Sequence, residues 1–335
     1  MENPDTTPAF EAYHVERFCL ARATPRRLII PDIHQNIPAL DKLLTEKLAP
    51  FPKNSSPFQE VIFLGDWFDT HLRPSSAPSQ VASFKETCLF LKSLLTRTHP
   101  LFSSLPSEET PSFVFILGNH DLPYIYANKP RSFQRKPSVP PLYSCSGFSR
   151  NKASAFCKVF AENGLLDDFF LSHFVIAHAS EGWTFSHAGL SHPHLLACMR
   201  DSSTSYSYST PTRSSPKNPT LSPLPHLQLA WKGFRTFRPS LCESLHDPDP
   251  LALAFAACGR SRGGLSPCGG PLWCDWHQDF KPSPLIGKQI FGHTEVSSPQ
   301  VLDLHLPTES WNIDVPHHYA ILSEGNLSLH HFAQV

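Results

Sequence analysis

The chain has 335 residues, enough for one large α/β domain or two ordinary ones and for a substantial core. Its 28 Lys and Arg against 29 Asp and Glu leave a formal charge of -1, with no long basic or acidic block, which speaks against a nucleic-acid or membrane-surface partner. The nine Cys lack the paired spacing of a disulfide framework or zinc ribbon, and no stretch nears the ~18 apolar residues of a membrane span, so a soluble protein of a reducing, cytoplasmic compartment is expected.

Residues 1–25 read as an extension without the basic segment and apolar run of a leader. From Arg27, RLIIPD reads as a strand and IPALDKLLTEKL as a helix with apolar residues at 37, 40, 44 and 48 on one face. Asn36 and Pro38 are its start signals. EVIFLGD is a second strand, and SQVASFKETCLFLKSLLTR a second helix in which Val81, Phe84, Cys88, Leu91 and Leu95 share a face. FVFILG, ending at Gly118, is the third strand. Strand, helix, strand, helix, strand, with nearly continuous apolar strands, predicts a parallel sheet covered by helices.

SRNKASAFCKVFAENG is a further helix, closed by Gly164 as its C-cap, and GWTFSHAG a short strand running into a turn. Residues 201–225 are Ser, Thr and Pro with almost no apolar content and are read as a mobile insertion within a single domain whose core runs from about 26 to 335. The 34 Pro, against a usual share of ~5%, imply much irregular surface loop. Ordered structure is expected to resume at QLAWKGF and LALAFAACG. KQIFGH, WNIDV, HYAIL and LSLHHF then follow as short strands, which suggests a second sheet.

Five strands stop at polar clusters: Asp32-Ile33-His34, Gly65-Asp66-Trp67-Phe68-Asp69, Gly118-Asn119-His120-Asp121, Ser186-His187-Ala188-Gly189 and Gly292-His293-Thr294-Glu295. Singly, each is weak, because Gly-Asp after a strand is more often a plain turn and a lone buried His is more often a core residue. Together they matter, since ligands of open α/β sheets bind beyond the carboxyl ends of the strands. A glycine ahead of the polar group allows a sharp turn and close approach. The ends offer two Asp, three His and one Asn, a hard-to-borderline set suited to Mn, Fe, Zn, Mg or Co. Six ligands are too many for one catalytic metal with open positions, and they suit two metals sharing a carboxylate.

In these motifs the sequence resembles the calcineurin-like metallophosphoesterase superfamily: Asp-x-His, Gly-Asp-x-x-Asp, Gly-Asn-His-Asp, a lone His and Gly-His stand in order from Asp32 to His293. The resemblance implies a two-sheet α/β/β/α sandwich. It implies two divalent ions, with Asp32 and His34 on the first, Asp66 bridging, and Asn119, His187 and His293 on the second. His120 would stand beside them, oriented by Asp69. Many members end in Gly-His-x-His, whereas Glu295 stands at that last place here. That ligand is read as absent, as in the branch of Ser/Thr phosphoprotein phosphatases and diadenosine tetraphosphatases, whose small prokaryotic members the sequence most resembles. Thr70 replaces the phosphate-gripping Arg of that branch's protein phosphatases, which counts against protein-phosphatase activity.

The implied reaction is phosphomonoester hydrolysis by in-line attack of a metal-bridging hydroxide, with His120 protonating the leaving alkoxide or stabilising its charge. The substrate is expected to be a small-molecule phosphoester or a phosphoprotein. A dinucleoside polyphosphate or phosphodiester hydrolase with the same site is the alternative, and a non-catalytic interaction module is the alternative of another class. Arg260 and Arg262 in GRSRGG are candidates to grip phosphate, against the plainer reading of solvated surface charges; Asn151 and Lys152 are further polar residues able to reach the site. Asp314 is expected to orient a ligand His. Trp273 and Trp276 either floor a pocket or pack in the core. Cys258, Cys268, Cys274 and His277 match no common zinc template.

Overall fold

The computed structural model describes residues 25–48, 57–69, 77–107, 110–127, 150–163, 172–192, 257–264, 266 and 268–332. All but the last residue of the expected extension over 1–25, the insertion 201–225, QLAWKGF, most of LALAFAACG, Thr70 and Gly164 lie outside the described residues.

The first half follows the predicted order: β1 (Arg26–Ile30), α1 (Ile37–Leu48), β2 (Phe58–Phe63), α2 (Ala77–Leu95), then a short α3 (Pro100–Ser104) and β3 (Ser112–Ile116). α3 was not foreseen; it opens with Pro100 and is capped by the His99 ring, which accepts from the Leu101 N–H. α4 (Leu122–Ala127), α5 (Arg150–Glu162) and β4 (Phe174–Val175) complete this half. β1 pairs in parallel with β2, β2 with β3, and β3 with β4.

The remaining strands are β5 (Ala177–Ser180), β6 (Trp183–Ser186), β7 (Lys288–Phe291), β8 (Gln300–Leu302), β9 (Ser310–Asn312), β10 (His318–Ser323) and β11 (Asn326–His331). They corrected the expectation that all closing strands share a second sheet. That sheet has the order β5-β6-β7-β9-β8, while β10 and β11 return to the first, giving β11-β10-β1-β2-β3-β4. The reason is visible in β10, which is apolar on both faces. Tyr319 and Ile321 join the core that holds Leu28 and Ile30, and Ala320 and Leu322 join the one that holds Ile29. Such a strand belongs inside a sheet, and β10 runs antiparallel beside β1 with Ile29 opposite Ala320. Its hairpin to β11 turns through Glu324 and Gly325 at φ 56° and 73°, the geometry that matches the right-handed twist of paired strands.

Alternation along the strands builds two cores. Leu28, Ile30, Val61, Phe63 and Phe115 face residues of the five helices, with Phe84 of α2 stacked on Phe156 of α5. Ile29, Ile62, Leu64 and Ile116 face Trp183, Phe185, Ile290 and Ile313 of the second sheet. The architecture is thus a two-sheet α/β sandwich. On the far side of the second sheet, Phe291 and Ala188 are packed by Cys274, Trp276 and Phe280 of a turn-rich segment.

At the ends of the strands opposite their polar stops, a polar cluster ties the sheets together. Arg27 of β1, 4% exposed, donates through Nε to Glu60 of β2 and to Ser180 of β5, each at 2.7 Å, and pairs with Glu181 at 2.9 Å. His178 of β5 reaches the other Glu60 oxygen at 2.9 Å. A buried guanidinium is tolerable only with such partners.

Candidate metal centre

The five polar stops follow β1, β2, β3, β6 and β7, and the structure brings them to one place. Their backbones interlock. His34 N–H donates to the Asp66 carbonyl at 2.7 Å, Gly292 N–H to the His187 carbonyl at 2.8 Å, and His120 N–H to Asp66 Oδ1 at 2.9 Å. His293 N–H lies 3.2 Å from both oxygens of Asp32. The glycines make room for these side chains. A Cβ on Gly118 would stand 2.1 Å from Asp66 Oδ1, and one on Gly292 would stand 2.4 Å from Asp32 Oδ1. Gly65, at φ 120°, has the Gly118 backbone 2.7 Å from where its Cβ would be.

Two groups of donor atoms result, either of which can hold a metal ion: Asp32, His34 and Asp66, and Asp66, His187 and His293. In the first, His34 Nε2 lies 3.8 Å from Asp32 Oδ2 and 3.9 Å from Asp66 Oδ2. In the second, His187 Nε2 lies 2.7 Å from Asn119 Oδ1, 3.1 Å from His293 Nδ1 and 3.5 Å from Asp66 Oδ1; His293 Nδ1 is 2.9 Å from Asn119 Oδ1. Asp66 thus presents one oxygen to each group.

Proton placement fits a cation in both. His34 Nδ1 faces the Asp69 carbonyl at 3.1 Å and His187 Nδ1 the Leu64 carbonyl at 2.9 Å. A carbonyl only accepts, so each Nδ1 carries the proton and each Nε2 turns a lone pair inward. Burial pushes the pKa of His187 and His293 down, keeping the rings neutral. Burial also raises the Asp66 carboxyl, but the surrounding histidines outweigh it and hold the carboxyl below its ordinary value. Asp32 is pushed well up, first by burial and then by the Asp314 and Asp66 carboxylates. Buried carboxylates and inward lone pairs crowded together repel one another unless positive charge lies between them.

Backbone strain concentrates here. His34, Asp66 and His293 have φ of 46°, 55° and 70°, a left-handed region that costs a non-glycine residue of order 1–3 kcal/mol. The interlocking hydrogen bonds hold them there.

Beside the first group, His120 Nδ1 is 3.5 Å from Oδ2 of the fully buried Asp69. Tyr124 donates its hydroxyl to the same oxygen at 2.8 Å, and Lys152 of α5 pairs with Oδ1. Tyr124 was not singled out from the sequence, where it reads as one more apolar ring after a strand end. Asp121 has no ligand-like geometry. Its two oxygens each accept two backbone N–H groups, from Asp66 and Gly118 and from Trp67 and Phe68.

The two candidate arginines differ. Arg260 is exposed, with no ion pair among the described residues. Arg262 pairs through Nε with Asp275 at 2.8 Å and donates from Nη2 to Thr294 Oγ1 at 2.7 Å, next to His293. Its charge is felt at His187 and His293. Asp314 corrects an expectation: among the described residues its carboxylate has no hydrogen bond to a histidine. It stands near Asp32, and burial, then Asp66 and Glu295, push it up to about 7. Trp273 and Trp276 are buried, Trp273 edge-on to His293 at 6.0 Å and Trp276 against Phe280 and Phe291. Cys258, Cys268, Cys274 and His277 form no metal-holding group among the described residues.

The model of the calcineurin-like phosphoesterase family matches residues 25–296, which include every donor named above. No curated protein sequence matches the chain. Among solved structures, a cold-active protein-tyrosine phosphatase of a psychrophilic Shewanella species is similar at 14% identity and a TM-score of 0.49, over 92% of this chain and 81% of that one. A metallophosphoesterase from Sphaerobacter thermophilus is similar at 14% identity and a TM-score of 0.38, over 93% and 89%. A protein serine/threonine phosphatase from Saccharomyces cerevisiae is similar at 12% identity and a TM-score of 0.36, over 94% and 82%.

Proposed function

We propose that this chain, which belongs to the calcineurin-like phosphoesterase family, is a phosphatase that hydrolyses phosphomonoesters with the help of two divalent cations. Asp32 and His34 would hold one cation, Asn119, His187 and His293 the other, and Asp66 both. The observation that carries this reading is the position of Asp66, whose two carboxylate oxygens are turned to different groups of donors. Cations bound in such a pair of sites activate water near neutral pH and offset charge on the phosphoryl oxygens.

The residues of the chain account for the rest of the step. Water adds to phosphorus as the ester oxygen leaves, and that oxygen needs a proton when the alcohol is a poor leaving group. His120, with Nδ1 turned toward Asp69, has Nε2 to deliver it. Its low exposure, 6%, keeps bulk water from competing at the ring. Arg262, fixed by Asp275 and Thr294, supplies standing positive charge at the rim, while Arg260 in the same loop is open to incoming phosphate.

The test is hydrolysis of p-nitrophenyl phosphate, nucleotides, a dinucleoside polyphosphate and a phosphodiester by protein stripped with a chelator and resupplied with Mn, Ni, Co or Mg. Monoester hydrolysis should vanish on stripping and return with metal. Hydrolysis indifferent to the chelator, or none with any metal, contradicts the reading. Faster turnover of the dinucleoside polyphosphate or the diester reassigns the substrate class.

A further inference from the structure

We propose that Lys152 is a positioning residue of the reaction, holding Asp69 so that Asp69 in turn aims His120 at the leaving group; the inference rests on the phosphoesterase reading above. Lys152 lies in the first turn of α5, away in sequence from every strand-end motif. Its side chain is 11% exposed and that of Asp69 0%. The ammonium pairs with Asp69 Oδ1 and lies 5.5 Å and 5.6 Å from the ring centroids of Tyr124 and Phe156. Asp69 Oδ2 meets the Tyr124 hydroxyl at 2.8 Å and His120 Nδ1 at 3.5 Å.

The two oxygens of Asp69 have different partners, Lys152 on Oδ1 and His120 with Tyr124 on Oδ2. A carboxylate held at one oxygen only rotates about its Cβ–Cγ bond and aims poorly. One held at both presents Oδ2 to the imidazole in a fixed direction. Lys152 also neutralises a buried charge that would otherwise be costly at this depth. Phe156 on α5 stacks against Phe84 on α2, so the ammonium is anchored to the helical layer and not to a loop. A lysine tied into an ion pair with Asp69 is poorly placed to grip phosphate as well, which separates this role from that of Arg262.

A residue that acts through the leaving-group acid betrays itself in the leaving-group dependence. p-Nitrophenolate departs without a proton, whereas an alkoxide needs one, and proton donation is worth about 10²–10⁴-fold. Lys152→Met, of similar length and without charge, should therefore lower kcat for an alkyl phosphate such as glycerol phosphate by about tenfold to a hundredfold. With p-nitrophenyl phosphate the loss should stay within about threefold, and KM should hold for both. Lys152→Arg, which keeps the charge, should recover most of the alkyl-phosphate rate and serves as the comparison if the Met variant is less stable. An equal loss on both substrates, or a raised KM at unchanged kcat, overturns the inference while leaving the phosphoesterase reading intact. Absence of hydrolysis by the wild-type protein with every metal is the separate failure of that reading and takes the inference with it.

Discussion

The carboxylate of Asp121 accepts the backbone N–H of Asp66 at 3.1 Å, across two loops that follow neighbouring strands. It also takes the N–H of Gly118 at 2.9 Å, of Trp67 at 2.6 Å and of Phe68 at 3.1 Å, so one buried side chain clamps the Asp66 loop to the Asn119 loop. This clamp keeps Asp66 at its positive φ with an oxygen for each group of donors.

Asp121→Asn turns one acceptor oxygen into a donor facing two N–H groups. Each buried donor left unsatisfied costs ~1–3 kcal/mol, so the variant should lose about 2–6 kcal/mol in urea unfolding and most of its phosphatase rate. A loss under about 0.5 kcal/mol, within the range of inert surface changes, would reject the clamp.

Gly292→Ala and Gly118→Ala place a methyl against Asp32 and Asp66, two of the donors, with no flexible tip to yield at Gly118, where the Asp66 backbone nitrogen is also within 2.3 Å. Both variants should fall by at least about tenfold in metal affinity, a shift of ~1.4 kcal/mol. Isothermal titration with Mn on stripped protein measures it. Unchanged affinity would mean that the glycines matter for something other than ligand geometry.

Far from the centre, the Glu60 cluster gives a pH dependence independent of metal. Burial alone raises Glu60, but bonds to His178, Ser180 and Arg27 outweigh it and hold the carboxyl at about 2 against an ordinary 4.5. The unfolded chain therefore takes up the proton first as pH falls. This stabilisation is complete above pH 4.5 and drains away between 4.5 and about 2. Glu60→Gln should be less stable than wild type at pH 6 and show a shallower decline in unfolding free energy across that window. Parallel profiles for the two proteins would show that Glu60 contributes no linkage.

The crowded carboxylates and lone pairs also predict that the stripped protein is strained. Cations that bind only the folded state stabilise it by about 2.7 kcal/mol at a hundredfold excess over Kd, so Mn should raise Tm by several degrees in wild type. Asp32→Asn should respond less, and an identical rise in both would place the ion elsewhere.

Much of this was legible from residues alone. Strands that are apolar at every position, such as VIFLG and FVFILG, must be buried on both faces, and their abrupt polar stops marked the site. Three features were not legible, each for a physical reason. The return of HYAILS to the first sheet depends on which core has room beside Leu28 and Ile29, a tertiary choice that strand pattern leaves open. The pairing of Lys152 with Asp69 spans 83 residues and follows no motif spacing. Asp121 looks like a turn residue in sequence, and only its four backbone partners reveal the clamp.

The most direct test is a count of metal bound per chain after reconstitution, by elemental analysis of wild type, Asp66→Asn and Asn119→Ala alongside their p-nitrophenyl phosphate rates. Wild type should hold two ions and both variants fewer than two, with rates that fall with the count by at least about a hundredfold in Asp66→Asn. Full activity in wild type with one ion or none, or in Asp66→Asn at any count, contradicts the two-cation reading.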